Sequence, residues 1–172
     1  MSNKKETGFT LIELLVVIAV IGILAGVILA SLGTSKDKSA DAVIKQELHQ
    51  LQTQAALYYD TNKNYGVNAV APGACFTPTG SPPFTVFADP VIEQIARTAG
   101  LASGGLDSGR ITRTACGTPA DEQSYAAAVT LKTSSTSAWC VDSSGNAKLE
   151  TVANGNNPAD AMNVVGTTEQ CK

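Results

Sequence analysis

The chain has 172 residues, with 12 Lys and Arg against 15 Asp and Glu, and a formal net charge of −3. This mildly acidic balance excludes a general electrostatic attraction to nucleic acid or to anionic lipid. The single histidine, His49, lies among glutamines, and no Ser-His-Asp or paired-carboxylate pattern has a plausible scaffold. We therefore predict that the chain is not an enzyme and requires no cofactor.

The first predicted element is a long apolar helix. An apolar run over residues 9–32 follows a short polar leader, residues 1–8, which carries two lysines. As a helix this run would be roughly 36 Å long, enough to cross a bilayer with some tilt. We expect residues 9–33 to form a transmembrane segment whose N-terminus lies in the cytoplasm, because basic residues favour that side.

Glu13 is the acidic residue within this apolar run. A lipid-exposed carboxylate at such a depth costs on the order of 2.5 kcal/mol or more. An ionisable residue in this position therefore predicts a functional role and a partner of opposite charge.

A basic leader, a glycine-aromatic junction and one carboxylate come together in the segment TGFTLIELLVVIA, residues 7–19. This arrangement closely resembles the start of a type IV prepilin, the precursor of a pilus subunit. The resemblance implies that a prepilin peptidase cuts between Gly8 and Phe9 and that the new N-terminus at Phe9 is methylated. It also implies that Glu13 meets the N-terminal ammonium of a neighbouring subunit, a pairing that sets the register of assembly.

A secretory signal peptide and a plain membrane anchor are the alternatives for this segment. A signal peptide has an apolar region of about 7 to 15 residues followed by a small-x-small cleavage site. The run in this chain is longer, and its end at residues 31–33 is a poor site. A single-pass anchor explains the length but neither Glu13 nor the junction of Gly8 with Phe9.

The next segment, residues 34–60, predicts the amphipathic half of the same helix. Apolar residues recur there at steps of three and four, which is typical of a helix with one buried face. They are Ala40, Ile44, Leu48, Leu51, Ala55 and Tyr58. On the exposed side we expect Asp37 and Asp41 to pair with Lys38 and Lys45. Many major pilins have a proline in this helix, at the place where the helix locally melts in the fibre. This chain has Ala30 at that position, so the resemblance does not imply local melting.

Residues 61–123 predict an irregular connection, because prolines and glycines interrupt the segment repeatedly. Within it, residues 90–99 predict a short helix. Asp89 suits the N-cap, Pro90 the first helical position and Gly100 the C-terminal cap.

A small group of arginines lies in and after this helix, at Arg97, Arg110 and Arg113. Such a group would suit DNA or an anionic glycan, but isolated arginines on loops usually are solvated or pair locally. We therefore expect no nucleic-acid partner.

Residues 124–172 predict an antiparallel β-sheet followed by a C-terminal loop. Alternating or apolar-rich runs cover residues 124–132, 137–142 and 147–152, and short polar turns join them. We expect Trp139 to be a core or sheet-edge residue. A sheet laid on the amphipathic half of the helix would close one core, which gives an α+β fold.

Four cysteines lie beyond the apolar segment, at Cys75, Cys116, Cys140 and Cys171. An even number of cysteines in a secreted domain predicts disulfides, and four cysteines allow three connectivities. Their spacing does not match a zinc site, so we predict no metal. The resemblance to pilins favours one connectivity, in which Cys140 pairs with Cys171 to hold the tail on the sheet and Cys75 pairs with Cys116.

The resemblance implies that the chain is a structural subunit of a type IV pilus or pilus-like filament. It would lie in the cytoplasmic membrane before assembly and in an extracellular fibre afterwards, with its own copies and the pilus assembly machinery as partners. A minor pilin or a type II secretion pseudopilin is the first alternative, and a membrane-anchored binding domain is the distant one. The sequence leaves open whether the fibre serves adhesion, motility, DNA uptake or secretion.

Overall fold

The computed structural model describes residues 9–66, 70–73, 75, 85–107, 110–111, 113–152, 157–165 and 168–172. By its contacts the chain divides into two compact units, Met1–Lys36 and Asp37–Lys172. The sheet and the two buried clusters lie in the second unit. The prediction for Gly8, and anything about the side chain of Ala30, falls outside the described part of the chain.

The first helix, α1, spans Leu11–Asn62 and has 52 residues. Three glycines do not interrupt this helix. Helix formation is cooperative, so over this length no single residue decides whether the helix continues. The predicted helix is confirmed, and it continues two residues beyond the predicted end. Its first part is long and apolar enough to cross a membrane, and there the large apolar side chains are exposed.

The second part of α1 is one-sided, as its periodicity predicts. Ile44, Leu48, Leu51 and Ala55 are completely buried, and they follow one another at steps of three and four. Tyr58 packs against the same cluster while staying partly exposed.

The strands follow the end of α1 in chain order. They are β1 Val70–Gly73, β2 Leu106–Asp107, β3 Arg110–Ile111, β4 Thr114–Thr118, β5 Ala126–Thr130, β6 Ser137–Asp142, β7 Ala147–Thr151, β8 Met162–Val165 and β9 Thr168–Cys171. A second helix, α2, spans Pro90–Ala102, and short 3-10 helices span Val86–Ala88 and Pro158–Ala161.

Among the described residues the main sheet has five antiparallel strands in the order β1-β4-β5-β6-β7. The strands β5, β6 and β7 form the predicted meander, in which Val129 lies opposite Trp139 and Trp139 lies opposite Leu149. β2 pairs with β3 and β8 pairs with β9 as separate hairpins. The prediction of an α+β fold is confirmed.

The central strands of the main sheet, β4, β5 and β6, have buried side chains on both faces. One face contributes Cys116, Tyr125, Ala127, Val129 and Val141 to a cluster with α1 and α2. The opposite face, here called the alanine face, consists of Ala115, Ala126, Ala128, Ala138 and Cys140. The alanine face packs against Ala161, Met162 and Cys171. The described residues 158–165 and 168–172 therefore form a third layer where the sequence predicts a C-terminal loop.

The strand β4 lies within residues 61–123, for which the sequence predicts an irregular connection. It pairs with β5 and is buried at all five positions. The sequence ACGT within it has neither alternation nor large β-branched residues, so a search for strand periodicity misses it.

The helix α2 begins as predicted but ends later. The side chain of Asp89 accepts hydrogen bonds from the N–H groups of Val91 at 2.9 Å and Ile92 at 3.2 Å, and Pro90 is the first helical residue. The predicted cap at Gly100 is wrong, since the helix continues to Ala102. Gly104, with φ +80°, instead supplies the left-handed residue that ends a helix of this kind.

Candidate assembly site

The start of α1 is a capping box, which gives Glu13 a partner within its own chain. Its carboxylate accepts from the backbone N–H of Thr10 at 2.9 Å and from the Thr10 hydroxyl at 2.6 Å. The Thr10 hydroxyl in turn accepts a long bond from the Glu13 N–H at 3.4 Å. The spacing of Thr and Glu three residues apart is the pattern of such a cap, and it was available in the sequence.

The capping box adds a local hydrogen-bond partner to the partner of opposite charge that the sequence predicts for Glu13. Each carboxylate oxygen has two lone-pair positions, and both Thr10 donors reach the same oxygen, Oε2. Acceptor capacity therefore remains for a donor from outside the chain. Phe9, next to this cap, is 84% exposed.

The apolar surface around this cap is continuous along α1. Its large side chains are half exposed or more at nearly every position from Phe9 to Leu32. A helix that is apolar all round requires apolar surroundings, such as a bilayer or other helices. The surface therefore suits both a membrane segment and a packed helical core.

The second part of α1 is held to the sheet by polar contacts as well as apolar ones. Asp41 is buried, and it accepts from the backbone N–H of Lys132 at 2.6 Å and from the hydroxyl of Thr133. The predicted pairing of Asp41 with Lys45 is wrong, because the Asp41 carboxylate faces the turn between β5 and β6. Lys45 lies over the ring of Trp139, with its Nζ 4.8 Å from the ring centroid.

Gln52 makes a further contact of this kind at the turn between β6 and β7. Its amide nitrogen donates to the carbonyl of Asn146 at 2.8 Å and to that of Asp142 at 3.3 Å. His49 lies 3.4 Å from the Gln52 amide oxygen and is exposed, so it supports the orientation of that amide. These contacts fix the position of the sheet on the helix.

The arginines of the predicted cationic group engage local partners where they are described. Arg97 pairs with Glu93 at 3.2 Å on α2. Arg113 donates to the carbonyl of Ser103 at 2.9 Å. The side chain of Arg110 is outside the described side chains.

Aromatic rings close the core near the end of α1. Tyr65 lies between Tyr59 and Tyr125, with centroid distances of 4.8 and 4.9 Å. The ring of Phe87 meets that of Tyr125 edge to face, with 6.2 Å between the centroids. Burial raises the pKa of Tyr125 well above its usual value, and it raises the pKa of Tyr65 as well. The rings therefore stay neutral and anchor the C-terminal end of α1 in the core.

The structure links Cys75 to Cys116 and Cys140 to Cys171. These are the pairs that the resemblance implies. The first bond joins the connection after α1 to β4, and the second joins β6 to β9. Cys116 faces the helices, whereas Cys140 lies on the alanine face.

Comparison with protein families gives a match at the N-terminal end of the chain. The family model described as prokaryotic N-terminal methylation motif matches residues 3–29. The chain carries this motif. It covers the cap formed by Thr10 and Glu13 and most of the exposed apolar helix.

Two kinds of curated protein are similar to this chain. One is the type IV wide pilus major component PilA4 of Thermus thermophilus, which is 39% identical over 71 residues, or 41% of this chain and 53% of the relative. The other is the type II secretion system core protein G. The protein of this name from Klebsiella michiganensis is 30% identical over 83 residues, and that from Dickeya chrysanthemi is 29% identical over 81 residues.

The extent of these similarities is limited. The chain spans between 53% and 58% of the length of these relatives, and the matches cover 41% to 48% of this chain. No solved structure matches it significantly.

Proposed function

We propose that this chain is a structural subunit of a type IV pilus or pilus-like extracellular filament, assembled through the first part of α1. The observation that carries the proposal is the methylation motif on a helix whose apolar surface is exposed on all sides. A surface of this extent requires burial, and helices of further copies can supply it. The relatives of both kinds support the same general role.

Before assembly, the motif directs processing of the precursor. A prepilin peptidase cuts between Gly8 and Phe9, and the new amino group at Phe9 is methylated. In the membrane the N-terminus faces the cytoplasm, because the leader is basic. The mature chain then passes to the assembly machinery and becomes part of an extracellular fibre.

In the filament, Glu13 pairs with the N-terminal ammonium of a neighbouring copy. Acceptor capacity remains on its carboxylate beyond the two bonds from Thr10. An ammonium and a carboxylate in an apolar core each cost free energy alone, so the pair favours one register over its neighbours.

The processing proposal is tested by the intact mass of surface material. The expected mass is that of a chain beginning at methylated Phe9, with both disulfides formed. A chain that keeps residues 1–8 contradicts the proposal and favours a plain membrane anchor that carries a binding domain. A chain that begins beyond Leu32 contradicts it in favour of a secretory leader.

A minor pilin or a type II secretion pseudopilin is the second candidate, and the similarity to type II secretion core protein G supports it. Imaging of sheared surface fibres, with mass spectrometry of their components, separates the two. A major pilin is the most abundant component of long fibres. A pseudopilin is absent from such fibres, and its deletion impairs protein secretion.

A further inference from the structure

Asp142 is a buried carboxylate that no part of the proposed filament mechanism uses. It lies at the end of β6 and is 1% exposed. Among the described residues, Asp142 takes part in none of the salt bridges. A buried carboxylate without a cation is costly unless hydrogen bonds satisfy its oxygens.

Four N–H donors satisfy the two oxygens of Asp142. Oδ1 accepts from the backbone N–H of Ser144 at 2.9 Å and of Asn146 at 3.1 Å. Oδ2 accepts from the Asn146 side-chain amide at 2.8 Å and from the backbone N–H of Cys171 at 3.1 Å. One oxygen therefore fixes the turn between β6 and β7, and the other reaches the C-terminal strand.

The residue that Asp142 holds is the partner of Cys140 in a disulfide. Cys140 and Asp142 are two positions apart on β6, so their side chains share the alanine face. The backbone N–H of Cys171 donates a hydrogen bond to Asp142. The sulfur of Cys171 forms the disulfide with Cys140, and the Cα atoms of these two cysteines are 5.7 Å apart. Two neighbours on one strand therefore fix the position of a single residue of β9.

Further contacts keep the C-terminal strand in the same register. The Gln170 amide donates to the Ser144 hydroxyl at 3.1 Å, and the Lys172 N–H donates to the carbonyl of Ala161 at 3.2 Å. In contrast to these two contacts, the hydrogen bond from the Cys171 N–H ends on a buried carboxylate, that of Asp142. Hydrogen bonds to charged acceptors are generally stronger than those between neutral groups.

We propose that Asp142 positions Cys171 for disulfide formation with Cys140, so that the C-terminal layer docks on the alanine face before the covalent bond closes. The sequence separation of the two cysteines is 31 residues, and closing such a loop by chance is entropically costly. The hydrogen bond from Cys171 to Asp142 offsets part of this cost in the reduced chain. This inference concerns maturation of the subunit and holds whether or not the subunit forms a filament.

The chemistry is ordinary thiol-disulfide exchange with a small-molecule disulfide as the oxidant. One protein thiolate attacks oxidised glutathione, forms a mixed disulfide and releases one glutathione thiolate. The second protein thiolate then attacks the protein sulfur and releases the other. Two protein thiols and one oxidised glutathione thus give one protein disulfide and two reduced glutathione molecules.

The first test substitutes Asp142→Asn in the full chain, held in detergent micelles. The asparagine has the same size, but in either orientation its NH₂ group faces two N–H donors. The reduced protein is equilibrated in glutathione buffers, alkylated and digested, and each disulfide is quantified by mass spectrometry. The effective concentration of the Cys140-Cys171 pair is expected to fall about tenfold or more.

Internal and matched controls separate positioning from general destabilisation. The Cys75-Cys116 pair is the internal reference, because Cys116 faces the helices and is not bonded to Asp142. Its effective concentration is expected to change by less than about twofold. Asp121→Asn, an exposed substitution with the same change of charge, is expected to alter neither pair. An equal fall of both pairs, or no fall of either, overturns the proposal.

A second test does not require the Asp142 variant to fold. In a Cys140→Ser variant, hydrogen exchange of the Cys171 amide is measured in the full chain. If Asp142 holds the strand in the absence of the disulfide, this amide stays protected at least tenfold relative to the unfolded chain. Exchange at the unprotected rate shows that the disulfide alone holds the strand, which overturns the proposal.

Discussion

At the scale of the residue, Glu13 has two roles that one side chain is able to combine. Its bonds to Thr10 cap the first turn of α1, and its charge is proposed to meet a neighbour's ammonium. The capping role accepts either Glu or Gln at this position, because both side chains carry the acceptor oxygen. The charge is therefore removable without removal of the cap.

We predict that Glu13→Gln leaves the protein made, inserted in the membrane and cleaved, but lowers fibre yield sharply. The neighbour's ammonium would then be buried without its counter-charge, a loss of roughly 3 to 5 kcal/mol for a broken buried pair. Thr10→Val is the matched control: it removes the hydroxyl of the cap and keeps the charge, so fibres should form. The measurement is the amount of sheared fibre when each variant is the only subunit. Normal fibre yield from Glu13→Gln would refute the pairing.

Tyr125 gives a pH dependence whose direction follows from its burial. Desolvation raises the pKa of Tyr125 in the folded chain above the value of about 10 expected when it is unfolded. The neutral phenol therefore contributes stability that is fully present below about pH 10 and is lost as the pH rises further. Tyr65, whose pKa is also raised, acts in the same direction.

We predict that Tyr125→Phe reduces the loss of stability above about pH 10, because phenylalanine keeps the ring and has no proton to lose. The free energy of unfolding is measured by denaturant titration of the full chain in micelles at pH 8 and at pH 11. The difference between the two pH values should be smaller in the variant than in the parent chain. An unchanged difference would show that Tyr125 ionises as readily in the folded chain as in the unfolded one.

At the scale of the element, the alanine face explains how the C-terminal layer approaches the main sheet. Ala115, Ala126, Ala128 and Ala138 are buried, and all four present only a methyl group. Because these side chains are small, the segment 158–162 packs close to the strands. Each alanine, however, buries less apolar surface than a larger side chain would. The face therefore depends on close packing, in which even one added methylene group is felt.

We predict that Ala128→Leu destabilises the second unit by about 1 to 3 kcal/mol, because the added volume overpacks the contact with the C-terminal layer. Ala147→Leu is the control: the same change on the exposed edge strand β7 should alter stability by less than about 0.5 kcal/mol. Denaturant titration of both variants measures the difference. Equal effects of the two substitutions would show that the alanine face is not tightly packed.

At the scale of the whole molecule, two disulfides stabilise a unit with three thin layers. Their partners are 41 and 31 residues apart in the sequence. In the loop-closure model a bond of this kind contributes roughly 3 to 4 kcal/mol. One disulfide links the connection after α1 to the sheet, and the other links the C-terminal layer to it. Both segments lack a strong apolar pattern in the sequence.

We predict that non-reducing peptide mapping of purified protein recovers Cys75 linked to Cys116 and Cys140 linked to Cys171, with no free thiol. A peptide that links Cys75 to Cys140 would contradict this connectivity. It would leave the helix and the meander in place, because their hydrogen bonds do not depend on the cysteines.

Sequence patterns predict the parts of this protein that local chemistry specifies. The steps of three and four from Ile44 to Ala55 predicted the buried face of α1, and Asp89 with Pro90 predicted the start of α2. The alternating or apolar-rich runs over residues 124–132, 137–142 and 147–152 predict the meander, and Trp139 is predicted to be a core or sheet-edge residue. Each of these features follows from residues within a few positions of one another, which is the range over which helical and strand periodicity act.

The remaining features are visible in the folded chain alone, because they depend on contacts between residues far apart in the sequence. The strand β4 has no pattern of its own and exists through its pairing with β5. Asp41 resembles a surface carboxylate in the sequence, and it is buried because the turn at Lys132 offers it N–H donors from 91 residues away. In the same way, the third layer forms because the alanine face and Asp142 give the C-terminal segment a surface to bind, which no local sequence pattern reveals.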